Sequence, residues 1–79
     1  MNRETIESKL TEIICEQLGL DADEVSMDAN IRDDFDADSL DMVDIVMSCE
    51  DEFSVEFPED SMDSLILVKD VVDFIEKNM

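Results

Sequence analysis

One glycine, Gly19, and one proline, Pro58, are the only strong chain breakers in 79 residues. Glycine and proline are the residues that most often stop or turn regular structure. With so few of them, the chain is committed to long regular segments, and the spacing of its apolar residues decides their type. In the first segment Ile6, Leu10, Ile13, Ile14 and Leu18 recur at helical spacing and form one stripe, with Glu4, Glu7, Glu12 and Glu16 mostly off it. Asn2 suits the N-cap, with acid in the first turn. Gly19 suits the position just past the helix end, where positive φ is cheap. Cys15 falls at the edge of the stripe.

From Leu20 to Asp38 the period is lost. Leu20, Val25, Met27, Ile31 and Phe35 read as pegs that tie a long acidic connection onto the core, and the expectation is an ordered loop. A second helix is expected from about Ser39 to Phe53. Met42, Ile45, Val46, Cys49 and Phe53 make a broad core stripe, and Leu40, Val43 and Met47 a second, narrower one. A helix in a small domain needs only one buried face. The second stripe is therefore either a partly exposed apolar strip or the mark of a helix buried on two sides. Asp38, Asp41, Asp44, Glu50 and Asp51 frame it, as a docking surface for a basic partner would require.

Beyond Phe53, Pro58 suits the first position of a short acidic helix or turn over residues 59–64. Leu65, Ile66 and Leu67 lead into a last helix. Val68, Val71, Val72 and Ile75 form its inward face, Phe74 lies beside them, and Lys69 and Lys77 project outward. No β-alternation of note appears. The expected fold is all-α, a single domain over residues 1–79, built as a small four-helix bundle of three long helices and one short helix.

Composition excludes whole classes of function. Asp and Glu number 24 against 5 Lys and Arg, for a formal charge of −19, and there is no His. Without histidine the commonest general base and metal ligand is missing. Such a charge argues against nucleic acid and anionic membrane surfaces, favours partners with basic patches, and predicts self-repulsion in a chain expected to be monomeric. Two cysteines, Cys15 and Cys49, do not make a disulfide framework and read as reduced thiols. Met1-Asn2-Arg3-Glu4 carries no signal-peptide pattern and no apolar run approaches a membrane span, so the expectation is a chain that is cytoplasmic or already processed, with the cytoplasm preferred.

Chemistry points to Asp36-Ala37-Asp38-Ser39-Leu40-Asp41, where the loop meets the second helix. Asp38 as N-cap places Ser39 in the first turn, beside free backbone N–H groups and the positive end of the helix dipole, a setting that favours an attached phosphate. No Lys or Arg lies within the motif to activate Ser39 as a nucleophile, so an enzyme is not expected. Asp34-x-Asp36-x-Asp38 matches the first three ligand positions of an EF-hand. Ser39 then stands where Gly is needed and Ile45 where Glu is needed, so no dedicated metal site is expected. A plain acidic interaction domain, with Ser39 only structural, remains open at this level.

Asp38-Ser39-Leu40-Asp41 resembles the modification motif of acyl carrier proteins of dissociated, type II fatty-acid synthesis. The resemblance covers nearly the whole chain. It includes Ile13-Ile14-Cys15-Glu16-Gln17-Leu18-Gly19-Leu20, Val43-Asp44-Ile45-Val46-Met47, Glu50-Asp51-Glu52-Phe53, Phe57-Pro58-Glu59-Asp60 and Val68 to Ile75. It implies 4'-phosphopantetheine, taken from coenzyme A by a phosphopantetheinyl transferase (holo-acyl-carrier-protein synthase) and attached at Ser39. It implies a carrier of growing acyl chains as thioesters, serving fatty-acid synthase enzymes and acyltransferases with basic docking patches. A polyketide or aminoacyl cargo is the alternative within the class. It further implies docking through Asp38, Leu40, Asp41, Val43, Asp44, Met47, Glu50 and Asp51, and an acyl pocket lined by Val46, Cys49, Phe53, Phe57, Leu65 and Val71. Three positions depart from the family pattern. Asp36 replaces a usual Gly, Leu67 a usual Thr or Ser cap, and Cys49 a larger aliphatic residue.

Overall fold

Asn2 opens the first helix by accepting the Thr5 N–H on its side-chain oxygen at 2.9 Å, and the Thr5 hydroxyl at the same distance. The structure, a computed structural model, describes residues 2–79, with Glu59 described in its backbone alone. Helix α1 spans Arg3–Leu18 and ends at Gly19, whose φ of 69° allows its N–H to reach the Cys15 carbonyl at 2.8 Å. Ile6, Leu10 and Ile14 are fully buried, while Ile13 and Leu18 are half-buried against the same core.

Helix α2 spans Ser39–Phe53 and helix α3 spans Val68–Asn78. The buried residues of α2 are Met42, Ile45, Val46, Cys49 and Phe53. Those of α3 are Val68, Val71, Val72 and Ile75. Both sets are the stripes expected from spacing. Helix α1 packs along both α2 and α3 and is the centre of the fold.

The fourth helix differs from expectation: residues Glu59–Ser64 form a 3-10 helix. The segment is too short to offset helix nucleation. Its serines also turn back on the backbone, with Ser61 Oγ donating to the Pro58 carbonyl and Ser64 Oγ to the Ser61 carbonyl. Pro58 sits at the cap, one residue ahead of the helix. The long connection is ordered by a 3-10 turn at Ala22–Glu24, closed by the Asp21 N–H donating to Glu24 at 2.8 Å. Further along, Asn30 accepts the N–H groups of Arg32 and Asp33, and Asp34 accepts that of Asn30. Ile31 is fully buried, and Ala29 and Ala37, which hydropathy spacing did not single out, are buried with it.

The loop also caps α3. The N–H groups of Val68 and Lys69 donate to the carbonyls of Ala29 and Met27 at 3.0 and 2.9 Å, beside an isolated antiparallel bridge between Asn30 and Leu67. The Leu67 N–H donates to the Asp70 carboxylate at 2.9 Å. Leucine at this N-cap therefore does not forfeit the cap, as a reading of residue type alone suggests. Backbone from a segment far away in sequence satisfies the orphan donors instead.

Cations tie elements together. Arg3 bonds Asp73 at 2.6 Å and approaches Glu76 at 3.6 Å on α3, Lys9 bonds Glu52 on α2 at 2.5 Å, and Lys69 reaches Asp28 in the loop at 3.2 Å. Hydrogen bonding to Asp73 raises the pKa of Arg3, and that to Glu52 raises the pKa of Lys9. In a chain of charge −19 these pairs relieve self-repulsion where helices meet.

Asp36 has φ of 55°, in the left-handed region that glycine occupies without strain. Asp36→Gly is expected to stabilise the chain by about 0.5–1 kcal/mol, because relief of backbone strain and of one negative charge exceeds the added entropy of the unfolded chain. A thermal melt should show a midpoint raised by a few degrees. An unchanged midpoint would mean that the aspartate side chain compensates its own backbone.

Candidate functional site: an exposed serine at the start of α2

Asp38 takes the N-cap of α2 and accepts the Asp41 N–H on Oδ1 at 2.9 Å, while Asp41 Oδ2 accepts the Asp38 N–H at 3.3 Å. This reciprocal pair does the capping. Ser39, the next residue, is consequently exposed, and its hydroxyl has no hydrogen-bond partner among the described residues. Ala37, buried just ahead of the cap, pins the loop so that the serine stands at a fixed place on the surface. A phosphate on that oxygen would lie beside the positive end of the α2 dipole. The site thus fits a phosphodiester-linked group: the nucleophilic oxygen is uncommitted, accessible and located by rigid neighbours.

The second stripe of α2 is exposed: Leu40 by 74%, Met47 by 58% and Val43 by 41%. That settles the two-sided alternative in favour of an open apolar strip. Its acidic frame divides in two. Asp38, Asp44 and Asp51 are exposed, Asp44 also accepting the Gln17 amide at 3.1 Å. Asp41 and Glu50 are half-buried and engaged in holding backbone, Asp41 in the cap and Glu50 by accepting the Phe57 N–H at 2.9 Å. Of the EF-hand-like acids, Asp34 and Asp38 are likewise bound to backbone N–H groups.

Val46, Cys49, Phe53, Phe57, Leu65 and Val71 all lie in one buried cluster. The Phe57 ring stacks on Phe74 with centroids 4.6 Å apart, a pairing that the sequence did not signal because its members belong to different elements. Residues 65–67, read as one apolar lead into α3, are treated unequally: Leu65 is buried, Ile66 is 48% exposed and Leu67 forms the cap. Burial, followed by the charge of Glu50, pushes the Cys49 thiol up to about 12. Burial, with Asp21 and Glu24, also raises the pKa of Cys15. Both thiols are protonated at neutral pH, and neither has the lowered pKa of a reactive thiolate.

The comparisons with known proteins agree with this geometry. The family described as a phosphopantetheine attachment site matches residues 8–75. An acyl carrier protein of Sinorhizobium fredii (strain NBRC 101917 / NGR234) and the acyl carrier protein AcpP of Rhizobium meliloti (strain 1021) are each 49% identical over 72 residues, spanning 91% of this chain and 92% of theirs. A solved structure of the acyl carrier protein from Enterococcus faecalis, described for its high thermal stability, covers 100% of both chains with a TM-score of 0.85 and 34% identity. Its cofactor is accordingly 4'-phosphopantetheine, and its work is carriage rather than catalysis. An exposed serine held at a helix start, a fold shared over the full length and a family match across most of the residues lead to one assignment: the chain belongs to the phosphopantetheine-attachment family of acyl carrier proteins.

Proposed function

We propose that Ser39 carries the 4'-phosphopantetheine arm and that the chain holds growing acyl groups on it during fatty acid synthesis. The observation that carries this reading is the uncommitted, exposed hydroxyl of Ser39 within Asp-Ser-Leu-Asp, with the capping role left to Asp38 and Asp41. In the loading step the Ser39 oxygen bonds to the phosphorus that bears pantetheine in coenzyme A. The pyrophosphate P–O bond breaks, adenosine 3',5'-bisphosphate leaves, and the hydroxyl proton passes to a base of the phosphopantetheinyl transferase. The arm ends in a thiol that bears cargo as a thioester.

The chain's own residues present and protect. Leu40, Val43 and Met47 offer apolar contacts to a docked enzyme, and the exposed carboxylates of Asp38, Asp44 and Asp51 attract its basic patch, with Asp41 and Glu50 adding charge at the margin. Val46, Cys49, Phe53, Phe57, Leu65 and Val71 form the apolar interior that shelters the acyl chain. The partners are the transferase, synthase enzymes and acyltransferases, and the carrier acts as a single monomeric domain in the cytoplasm. No helix of the described residues is long and apolar enough to cross a membrane.

The test is intact mass after incubation with coenzyme A and a broad-specificity phosphopantetheinyl transferase. Wild type is expected to gain one phosphopantetheine unit, and Ser39→Ala none while keeping its helicity. A gain in the variant would move the site to another residue. A folded, unmodified wild type that gains nothing would leave an acidic helical interaction domain without the arm.

A further inference from the structure

The fold sorts its methionines by exposure. Among the described residues Met42 is fully buried, and Met27 and Met62 are partly buried against the core. Only Met47 and Met79 stand more than half exposed there. Met79 is the last residue, just past the end of α3. Met47 lies within α2, in the apolar strip with Leu40 and Val43, and Asp44, Glu50 and Asp51 stand one turn to either side of it. An exposed thioether is open to oxidation at sulfur. The surrounding carboxylates repel anionic oxidants but not a neutral peroxide. The thiols offer little competition. Cys49 is buried, Cys15 is half-buried, and raised pKa values keep both from forming the thiolate that would consume peroxide faster.

We propose that Met47 is an oxidation site through which a neutral hydroperoxide reversibly withdraws the carrier from its enzymes. A sulfur lone pair forms an S–O bond to one peroxide oxygen, the O–O bond breaks, and with hydrogen peroxide the other oxygen leaves as water. Sulfur loses two electrons and the peroxide gains them. A methionine sulfoxide reductase reverses the step: the oxygen leaves as water while two thiols become a disulfide. The consequence rests on the docking role given to the strip above. A sulfoxide oxygen accepts hydrogen bonds, and the polar neighbours one turn away are ionised carboxylates with no proton to offer. The oxygen therefore keeps its water, which it must shed to enter an apolar pocket on a docked enzyme. The buried side of α2, carrying Met42, Ile45, Val46 and Cys49, is untouched. Docking is lost while the fold stays intact.

The test treats the chain, before it carries the arm, with hydrogen peroxide and then measures kcat/KM for loading by the phosphopantetheinyl transferase. Peptide mass mapping is expected to find the sulfoxide at Met47 before any at Met42, Met27 or Met62, with helical circular dichroism unchanged. Loading should fall about tenfold, as when a polar group is pressed into an apolar pocket. It should return after treatment with methionine sulfoxide reductases A and B and dithiothreitol. Met47→Leu keeps an apolar side chain that peroxide cannot oxidise, so its treated and untreated samples should load alike, whatever its own starting rate. Three results overturn the proposal: Met47 oxidised no sooner than the buried methionines, oxidised wild type loading like the untreated protein, or Met47→Leu losing as much as wild type. Failure of the untreated wild type to load would instead remove the carrier reading itself. Loading that is normal before peroxide and indifferent to it would remove the Met47 site and leave the carrier reading standing.

Discussion

Leu10→Ala is expected to leave a large fraction of the chain unfolded at room temperature. Leu10 is fully buried at the middle of α1, the helix on which both other helices pack. Removing a buried leucine side chain costs roughly 2–5 kcal/mol, from lost transfer energy and from the cavity left behind. A core in a chain this small supplies on the order of 3–5 kcal/mol in all. The substitution thus consumes most of the margin, and urea titration followed by helical circular dichroism should show little or no folded baseline. Leu40→Ala removes the same atoms from a side chain that is 74% exposed, and should change stability by no more than about 0.5 kcal/mol. A loss in Leu10→Ala as small as that in Leu40→Ala would mean that α1 is not the centre of the core.

Alkaline pH should unfold the wild type through Cys49. Its thiol is raised from an ordinary 9.0 to about 12, chiefly by burial. The folded state favours the protonated thiol, so this contribution is complete below pH 9 and is lost as pH rises toward 12. Between those values stability falls by as much as ~1.4 kcal/mol per pH unit, or about 3 kcal/mol by pH 11. Lys9, whose pKa is raised by its bond to Glu52, acts in the same direction as it loses its proton. Cys49→Ala isolates the thiol, because its stability should decline much less over the same interval. Parallel decline in wild type and Cys49→Ala, measured by urea unfolding at each pH, would assign the alkaline loss to the lysines and remove the thiol from the account.

Much of the site was legible before any coordinates. The order Asp38-Ser39-Leu40-Asp41 contains its own cap, because a capping box is a contact three residues long and is written in consecutive positions. The same holds for Asn2 with Thr5 and for Gly19 past the end of α1. The core faces of the helices were legible because a buried stripe repeats every three or four residues. The strain at Asp36 was foreseeable as a question of residue type, and its positive φ answers it.

The sequence by itself determined where the three α-helices lie, which face of each is buried, and that Ser39 falls in the first turn of the second. These are local properties, set by the 3.6-residue period and by side-chain to backbone bonds of short range. Only the tertiary structure decided that the Leu40, Val43 and Met47 strip faces solvent, that Phe57 stacks on Phe74, and that carbonyls of Met27 and Ala29 cap the start of α3. It likewise turned Glu50 from one acid of a docking frame into the anchor of the Phe57 backbone. Each of these joins or exposes groups through the mutual placement of separate elements. No periodicity links such partners along the chain, so their pairing emerges only when the core closes and each polar group must find the nearest available mate.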